Sequence, residues 1–201
     1  MTKARNKRPG KNTSNQLRII GGKWRGRKLP FPSIEGLRPT PDRVRETVFN
    51  WLAAVIPNAR CLDLFTGSGA LGLEALSRGA AHADLVDASP EAIQQLRQNL
   101  KLLKAEHGEA WSEAAQHWLA RFNHQQHDPY DVIFLDPPFH SNLVETCISS
   151  INERQLLAKQ AWIYLEMGAD EPLPNIPANW YLHREKKAGQ ICYRLFIAEN
   201  C

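Results

Sequence analysis

From residue 59 onward the chain repeats one pattern: a short apolar run, a turn marked by Gly, Ser or Pro, then a run with apolar residues every three or four positions. ARCLDLF (59–65) reads as a strand and GALGLEALSRG (69–79) as a helix ended by Gly79. ADLVD (83–87) is a strand, and SPEAIQQLRQNLKLL (89–103) is a helix with Ser89 as cap and Pro90 in its first turn. A weaker strand at 108–112 leads into a helix ending near 121. YDVIFLD (130–136) is a strand, a helix covers 142–152, and AWIYLEM (161–167) is a strand. Such alternation demands a parallel sheet with helices on both faces. YLHREKK (181–187) and QICYRLFIAE (190–199), joined through Ala188 and Gly189, add an antiparallel hairpin at one edge. The expected fold is therefore α/β, with a seven-stranded, mostly parallel sheet. Such sheets bind ligands beyond the carboxyl ends of their strands, where strand order switches.

Two strand ends carry the residues of interest. After the first comes DLFTGSGALG, in which Gly67, Gly69 and Gly72 match GxGxxG. That match alone is a weak signal, because several adenosyl ligands use it. A helix start at Ala70 would offer free N–H groups to a ligand. Asp63, four residues before Gly67, is more telling. A carboxylate at the mouth of the loop repels pyrophosphate and suits a cation. The second parallel strand ends in Asp87, 20 residues after Gly67, where an acid can accept both ribose hydroxyls. Helix capping is the other role open to Asp87, but Ser89 is better placed for it. A carboxylate beside Gly-x-Gly together with a ribose acid resembles the S-adenosylmethionine site of class I (Rossmann-like) methyltransferases. That resemblance implies cofactor contacts from Asp63, from Thr66, Gly67, Ser68 and Gly69, and from Asp87 and Ala88. RPTPDRVRE (38–46) precedes the sheet and is placed to close over the methionine end.

The stretch VIFLDPPFH (132–140) breaks a buried strand with one acid, two prolines and an aromatic ring. Proline cannot extend a strand, so the chain leaves the sheet rigidly at Asp136. Asp136-Pro137-Pro138-Phe139 resembles the signature of amino-methyltransferases acting on exocyclic base nitrogens. Such a nitrogen is a poor nucleophile, because its lone pair is delocalised into the ring. The Asp136 carboxylate and the Pro137 carbonyl can accept its two hydrogens and aim the lone pair at the methyl group. The prolines keep those acceptors rigid, and Phe139 can stack on the extruded base. A plain strand terminator would explain DPP alone, but not its coincidence with the glycine loop at a second strand end.

Charge divides the chain. Residues 1–28 hold ten Lys and Arg and no acid, leaving fifteen basic residues against twenty-one acidic ones in the remainder. A basic arm on an acidic body points to a polyanion, most commonly a phosphate backbone. Residues 1–15 read as a solvated tail. LRIIGGKWRGRKL (17–29) reads as a hairpin presenting Arg18, Lys23, Arg25, Arg27 and Lys28 to nucleic acid. Thr40 is expected to cap a helix over 41–55, with Pro41 first and Val44, Val48, Phe49 (or Trp51) and Leu52 as its apolar stripe.

RIIGGKWRGRKL, GLRPTPDRVRETVFNWL, DLFTGSGALGLEALSRGA and VIFLDPPF together resemble the bacterial RsmD family from about residue 17 to the end. The RPTPDRVRET block and the arm are specific to it, whereas the other two motifs are widespread. The resemblance implies methyl transfer from S-adenosylmethionine to N2 of a guanine in 16S ribosomal RNA, named guanine 966, on an assembling small subunit. It divides the chain into a basic arm and hairpin that contact RNA (1–36) and a methyltransferase domain (37–201). One departure is that GEAWSEAAQHW after the third strand lacks the Asp or Asn that often holds adenine, and Glu113 is the nearest substitute.

A DNA or RNA adenine or cytosine amino-methyltransferase is the alternative, since DPPF does not choose the base. An NAD-linked oxidoreductase needs a proton relay that is not evident. A non-catalytic RNA-binding protein would not need Asp136 and the glycine loop together. No run of about 18 apolar residues exists for a membrane span, and the basic N-terminus lacks the apolar core of a secretory signal. Cys61, Cys147, Cys192 and Cys201 form no CxxC pair, which suits a reducing cytoplasm. His124 and His127 read as loop residues, so no metal is expected. A monomer is the default.

Overall fold

The computed structural model describes residues 15–34, 39–123 and 127–200. In chain order the elements are β1 (Asn15–Arg18), β2 (Lys28–Phe31), α1 (Asp42–Trp51), β3 (Arg60–Asp63), α2 (Gly72–Ser77), β4 (His82–Asp87), α3 (Pro90–Leu103), β5 (Gly108–Ser112), α4 (Ala115–Arg121), β6 (Tyr130–Leu135), α5 (Leu143–Glu153), β7 (Leu157–Gly168), β8 (Trp180–Ala188) and β9 (Ile191–Glu199). Seven strands form one sheet in the order β5-β4-β3-β6-β7-β9-β8. The first five of these are parallel, and β9 and β8 add the antiparallel edge. After β3 the chain moves out to β4 and β5, then returns to β6 on the other side of β3. That reversal opens a crevice at the carboxyl ends of β3 and β6.

The period of two along each strand splits the core into two layers. Cys61, Val132 and Phe134 face one layer, with Val48 and Phe49 of α1, Leu73 of α2 and Leu96 of α3. Leu62, Ile133 and Leu135 face the other, with Leu119 of α4 and Ile148 and Ile151 of α5. The β1–β2 hairpin belongs to the first layer, through buried Leu17, Ile19, Trp24, Leu29 and Phe31. The hairpin and the sheet therefore share a core.

Several element bounds differ from expectation, for local reasons. β1 begins at Asn15, which pairs with Phe31, so the solvated tail ends earlier than residue 15; its residues 1–14 lie outside the described ones. α1 starts at Asp42 and has Pro41, not Thr40, at its cap position with no side-chain capping bond. The Thr40 hydroxyl is instead committed across the molecule to Asp136. α2 starts at Gly72 rather than near Gly69, because Gly69 has φ +82°, outside the right-handed helical region. Ala70 therefore does not open the helix. α3 follows expectation, and its Ser89 Oγ accepts from the Ala92 N–H at 3.2 Å. The α1 stripe takes Val44, Val48 and Phe49 fully inside, with Trp51 only partly buried.

Candidate active site

Asp63 ends β3 and is 1% exposed. Its Oδ2 accepts from Thr66 Oγ1 at 2.9 Å and from the Gly72 N–H at 3.0 Å, so the carboxylate braces the loop from within. Its Oδ1 is buried without a hydrogen-bond partner. Thr66, Ser68 and Gly69 are buried in this loop, while Gly67 is half open. Asp87 ends β4, with one oxygen accepting from the Gly67 N–H and the other from the Ser89 N–H, both at 2.8 Å. These two amides fix the orientation of Asp87 and leave lone pairs facing out. Ala88 beside it is exposed.

Asp136 follows β6. Its Oδ2 accepts from Thr40 Oγ1 at 3.2 Å. The Pro138 carbonyl is taken by the Ser141 N–H and hydroxyl, whereas no described donor reaches the Pro137 carbonyl. Phe139 is 45% exposed. With His140, residues 168–170 and Gln190, it borders an open hollow of about 450 Å³. The three strand ends thus bring Asp63, Asp87 and Asp136 to one crevice, with Phe139 at its outer rim.

Electrostatically the crevice is short of positive charge. Burial pushes Asp63 up to about 7, against the hydrogen bonds from Thr66 and Gly72, with Asp87 adding repulsion. Burial also raises Asp136 well above the usual carboxylate range, and Glu166 and then Asp63 add to it. A cation placed among these acids is stabilised by all of them, which fits a sulfonium and a free ammonium.

A pH dependence follows. Asp63 binds its proton more tightly in the folded than in the unfolded chain, so its effect on stability is most favourable below about pH 4 and declines as pH rises to about 7. The full effect is at most about 4 kcal/mol. Asp84 acts oppositely: against the upward push of burial, hydrogen bonds from His82, Tyr130 and Trp111 hold it low, so its contribution is lost only in stronger acid. Between pH 4.5 and 8 the ligand-free protein is expected to lose melting temperature relative to Asp63→Asn, and the cofactor should restore it. Parallel melting curves for the two proteins across that range would show that Asp63 is not destabilised by its burial.

The sequence reading missed the residues that join these parts. Glu74, 0% exposed, accepts from the N–H groups of Ile20 and Gly21 at 2.8 and 2.7 Å and from Arg78 Nε at 2.7 Å. Arg45, 1% exposed, donates to the carbonyls of Thr40 and Arg18 and to Asp42 Oδ1. It lies 3.7 Å from Glu74. Arg45 thereby holds Thr40, whose hydroxyl meets Asp136. Only its place in RPTPDRVRE hinted at this, and Arg38 of that block lies outside the described residues. Glu166 and Tyr164, in the strand AWIYLEM to which no site role was given, lie close to Asp136. Glu113 does not replace the missing adenine ligand freely, because its carboxylate pairs with Arg121 at 3.0 Å.

The proposed RNA-contacting side chains spread over the hairpin. Lys23, Arg25, Arg27 and Lys28 are exposed. The hairpin tip packs on Ser77 at the end of α2, and Arg27 reaches the Leu102 carbonyl at the end of α3. Those helix ends lie toward the amino ends of the strands, away from the crevice. Arg18 is nearer to it, paired with Asp42 at 2.7 Å. Of the expected loop histidines, His127 Nδ1 lies 3.0 Å from the Asn123 carbonyl and its ring stacks on Phe122; His124 lies outside the described residues. Cys61, Cys147 and Cys192 are free and buried. No described helix is long and apolar enough to cross a membrane.

Residues 17–197 match the family described as Conserved hypothetical protein 95. The chain belongs to that family. It is the RsmD family to which the motifs pointed. Ribosomal RNA small subunit methyltransferase D of Escherichia coli K12 is 52% identical over 193 residues, covering 96% of both chains. The Haemophilus influenzae protein of the same name is 46% identical, covering 92% of this chain and 95% of that one. The solved structure of yhhF from Escherichia coli superposes with a TM-score of 0.86 at 49% identity, covering 93% of this chain and all of that one. The crevice described above is thus set in a class I methyltransferase fold.

Proposed function

We propose that this protein transfers the methyl group of S-adenosylmethionine to the exocyclic N2 amino group of a guanine in 16S ribosomal RNA, the counterpart of guanine 966, on an assembling small subunit in the cytoplasm. Within that reaction the N2 lone pair attacks the methyl carbon, the carbon–sulfur bond breaks, and the sulfonium becomes the neutral thioether of S-adenosylhomocysteine. The surplus proton on N2 leaves to Asp136 or to water. The observation that carries this reading is the convergence of Asp63, Asp87 and Asp136-Pro137-Pro138-Phe139 on one crevice in a chain of this family. Asp63 with Thr66 to Gly69 would hold the cationic methionine end. Asp87 with Ala88 would hold the ribose, and Asp136, Pro137 and Pro138 the amino group, with Phe139 under the base. The test is methyl transfer from labelled cofactor to RNA from a strain lacking the protein, followed by nucleoside analysis. N2-methylguanosine is expected. N6-methyladenosine or N4-methylcytidine would overturn the reading in favour of another amino-methyltransferase.

In this reading residues 1–36 are the RNA-contacting part and residues 37–201 the methyltransferase domain. Deleting the whole of 1–28 would expose the core that Leu17, Ile19 and Trp24 close, so two milder changes are informative. Removing residues 1–14 takes away Lys3, Arg5, Lys7, Arg8 and Lys11. That change should flatten the slope of log affinity against log salt by up to about four units. Changing Arg18, Lys23, Arg25 and Arg27 to Gln should remove up to about three. Fluorescence anisotropy on a 16S RNA fragment at several salt concentrations reads both. Unchanged slopes would place the phosphate grip elsewhere, such as Arg184, Lys186 and Lys187 on the exposed β8 edge.

A further inference from the structure

Glu166 is a carboxylate in the interior of the sheet, 4% exposed. Its Oε2 accepts from the Tyr164 hydroxyl at 2.5 Å. No described donor reaches its Oε1. Burial raises its proton affinity, with only the Tyr164 hydroxyl opposing. Its position is specific. Leu135 of β6 pairs with Leu165 of β7 in parallel register. Asp136, just past the end of β6, and Glu166, within β7, follow those residues by one position each, so the register sets them side by side. Parallel neighbours lie about 4.8 Å apart. The charge of Glu166 adds to the raised proton affinity of Asp136, in keeping with that register.

Two adjacent acceptors demand two adjacent donors, and the bases differ there. Beside its amino group guanine carries the ring N1–H, a second donor. Adenine beside N6 carries N1 without hydrogen, and cytosine beside N4 carries N3 without hydrogen; both are acceptors. We propose that Glu166 selects guanine by accepting its ring N1–H while Asp136 accepts from the N2 amino group. Against adenine or cytosine the same carboxylate would face a lone pair. Asp136 thus serves any exocyclic amine, and Glu166 narrows the choice. Tyr164 holds Glu166 in place, and Thr40 holds Asp136. This inference rests on the guanine-N2 reading and deepens it.

The test replaces the methylated guanosine of 16S RNA with 2,6-diaminopurine riboside, which keeps the N2 amino group but has an acceptor at N1. The RNA is presented bare or in a reconstituted small subunit, whichever the wild type methylates. Wild type should prefer guanosine by roughly 10- to 100-fold in kcat/KM, the usual worth of one base contact. In Glu166→Gln the Tyr164 hydroxyl can still donate to the amide oxygen, which turns the NH2 toward the base. Guanosine methylation should fall by a similar factor, the preference over diaminopurine should shrink at least tenfold, and cofactor Kd should stay within threefold. A Glu166→Gln preference equal to that of the wild type overturns the proposal. A wild type that makes no N2-methylguanosine overturns the reaction on which it rests, a separate result. Should Glu166→Gln fail to fold, Glu166→Asp withdraws the carboxylate from N1–H and must also shrink the preference; an unchanged preference there is equally fatal.

Discussion

Replacing Asp136 with alanine is expected to lower kcat by roughly 10²–10³-fold, the effect of losing one well-placed acceptor in a preorganised site. Its proposed partner is the amino nitrogen as it becomes nucleophilic, so the loss belongs to the transition state and KM should rise much less. Cofactor affinity should be nearly unchanged. The structure adds an expectation about stability. Asp136 is burdened by burial and by Glu166 and Asp63, with only the Thr40 hydroxyl opposing. Asp136→Ala should therefore leave the melting temperature at or above that of the wild type at pH 8. Steady-state kinetics with saturating cofactor, alongside thermal melting, read both. Activity within threefold of wild type would remove Asp136 from the mechanism. A marked loss of stability would make it a structural residue.

The largest effect on folding is expected at Glu74. Glu74→Ala removes the acceptor for the N–H groups of Ile20 and Gly21 and for Arg78. It also leaves Arg45 with Asp42 as its remaining acidic partner. Breaking one side of a buried ionic network typically costs about 3–5 kcal/mol. Glu74→Gln keeps the shape and one acceptor and should cost less. Urea unfolding measures the difference, with the midpoint falling and the slope unchanged. A loss below about 1 kcal/mol would mean that the hairpin is not docked through Glu74. Gly22 guards the same contact. It has φ +73°, and a Cβ there would lie 1.8 Å from the Ser77 carbonyl oxygen, so no other residue fits where the hairpin crosses α2.

The catalytic consequence is indirect. Glu74 and Arg45 connect the hairpin to Thr40, and Thr40 touches Asp136. Loosening Glu74 should therefore reduce activity beyond what unfolding explains, with cofactor affinity little changed. The hairpin that sequence charge marked as an RNA arm is, in the structure, tied to α2 by Glu74 and, through Arg45 and Thr40, to Asp136.

Local order was legible in the sequence because it is written in short-range chemistry. Alternating apolar periods, Ser89 before Pro90, and Gly69 in its turn act within a few residues of themselves, so the seven strands, the helices between them and the three acids at strand ends could be read in advance. The motif DPPF announced its own rigidity. What the sequence could not carry was which distant side chains meet. Thr40 looked like a cap because it precedes Pro41, and only the packing of α1 against β6 turned its hydroxyl to Asp136. Nothing near Glu74 in the sequence marks it out; the hairpin lays two N–H groups over it. Glu166 sat in an apolar run and became part of the crevice through the register of β7 with β6. In each case the deciding partner lies between 53 and 96 residues away or on a strand paired only after the sheet forms, and a buried polar group has no meaning until its partner is in place.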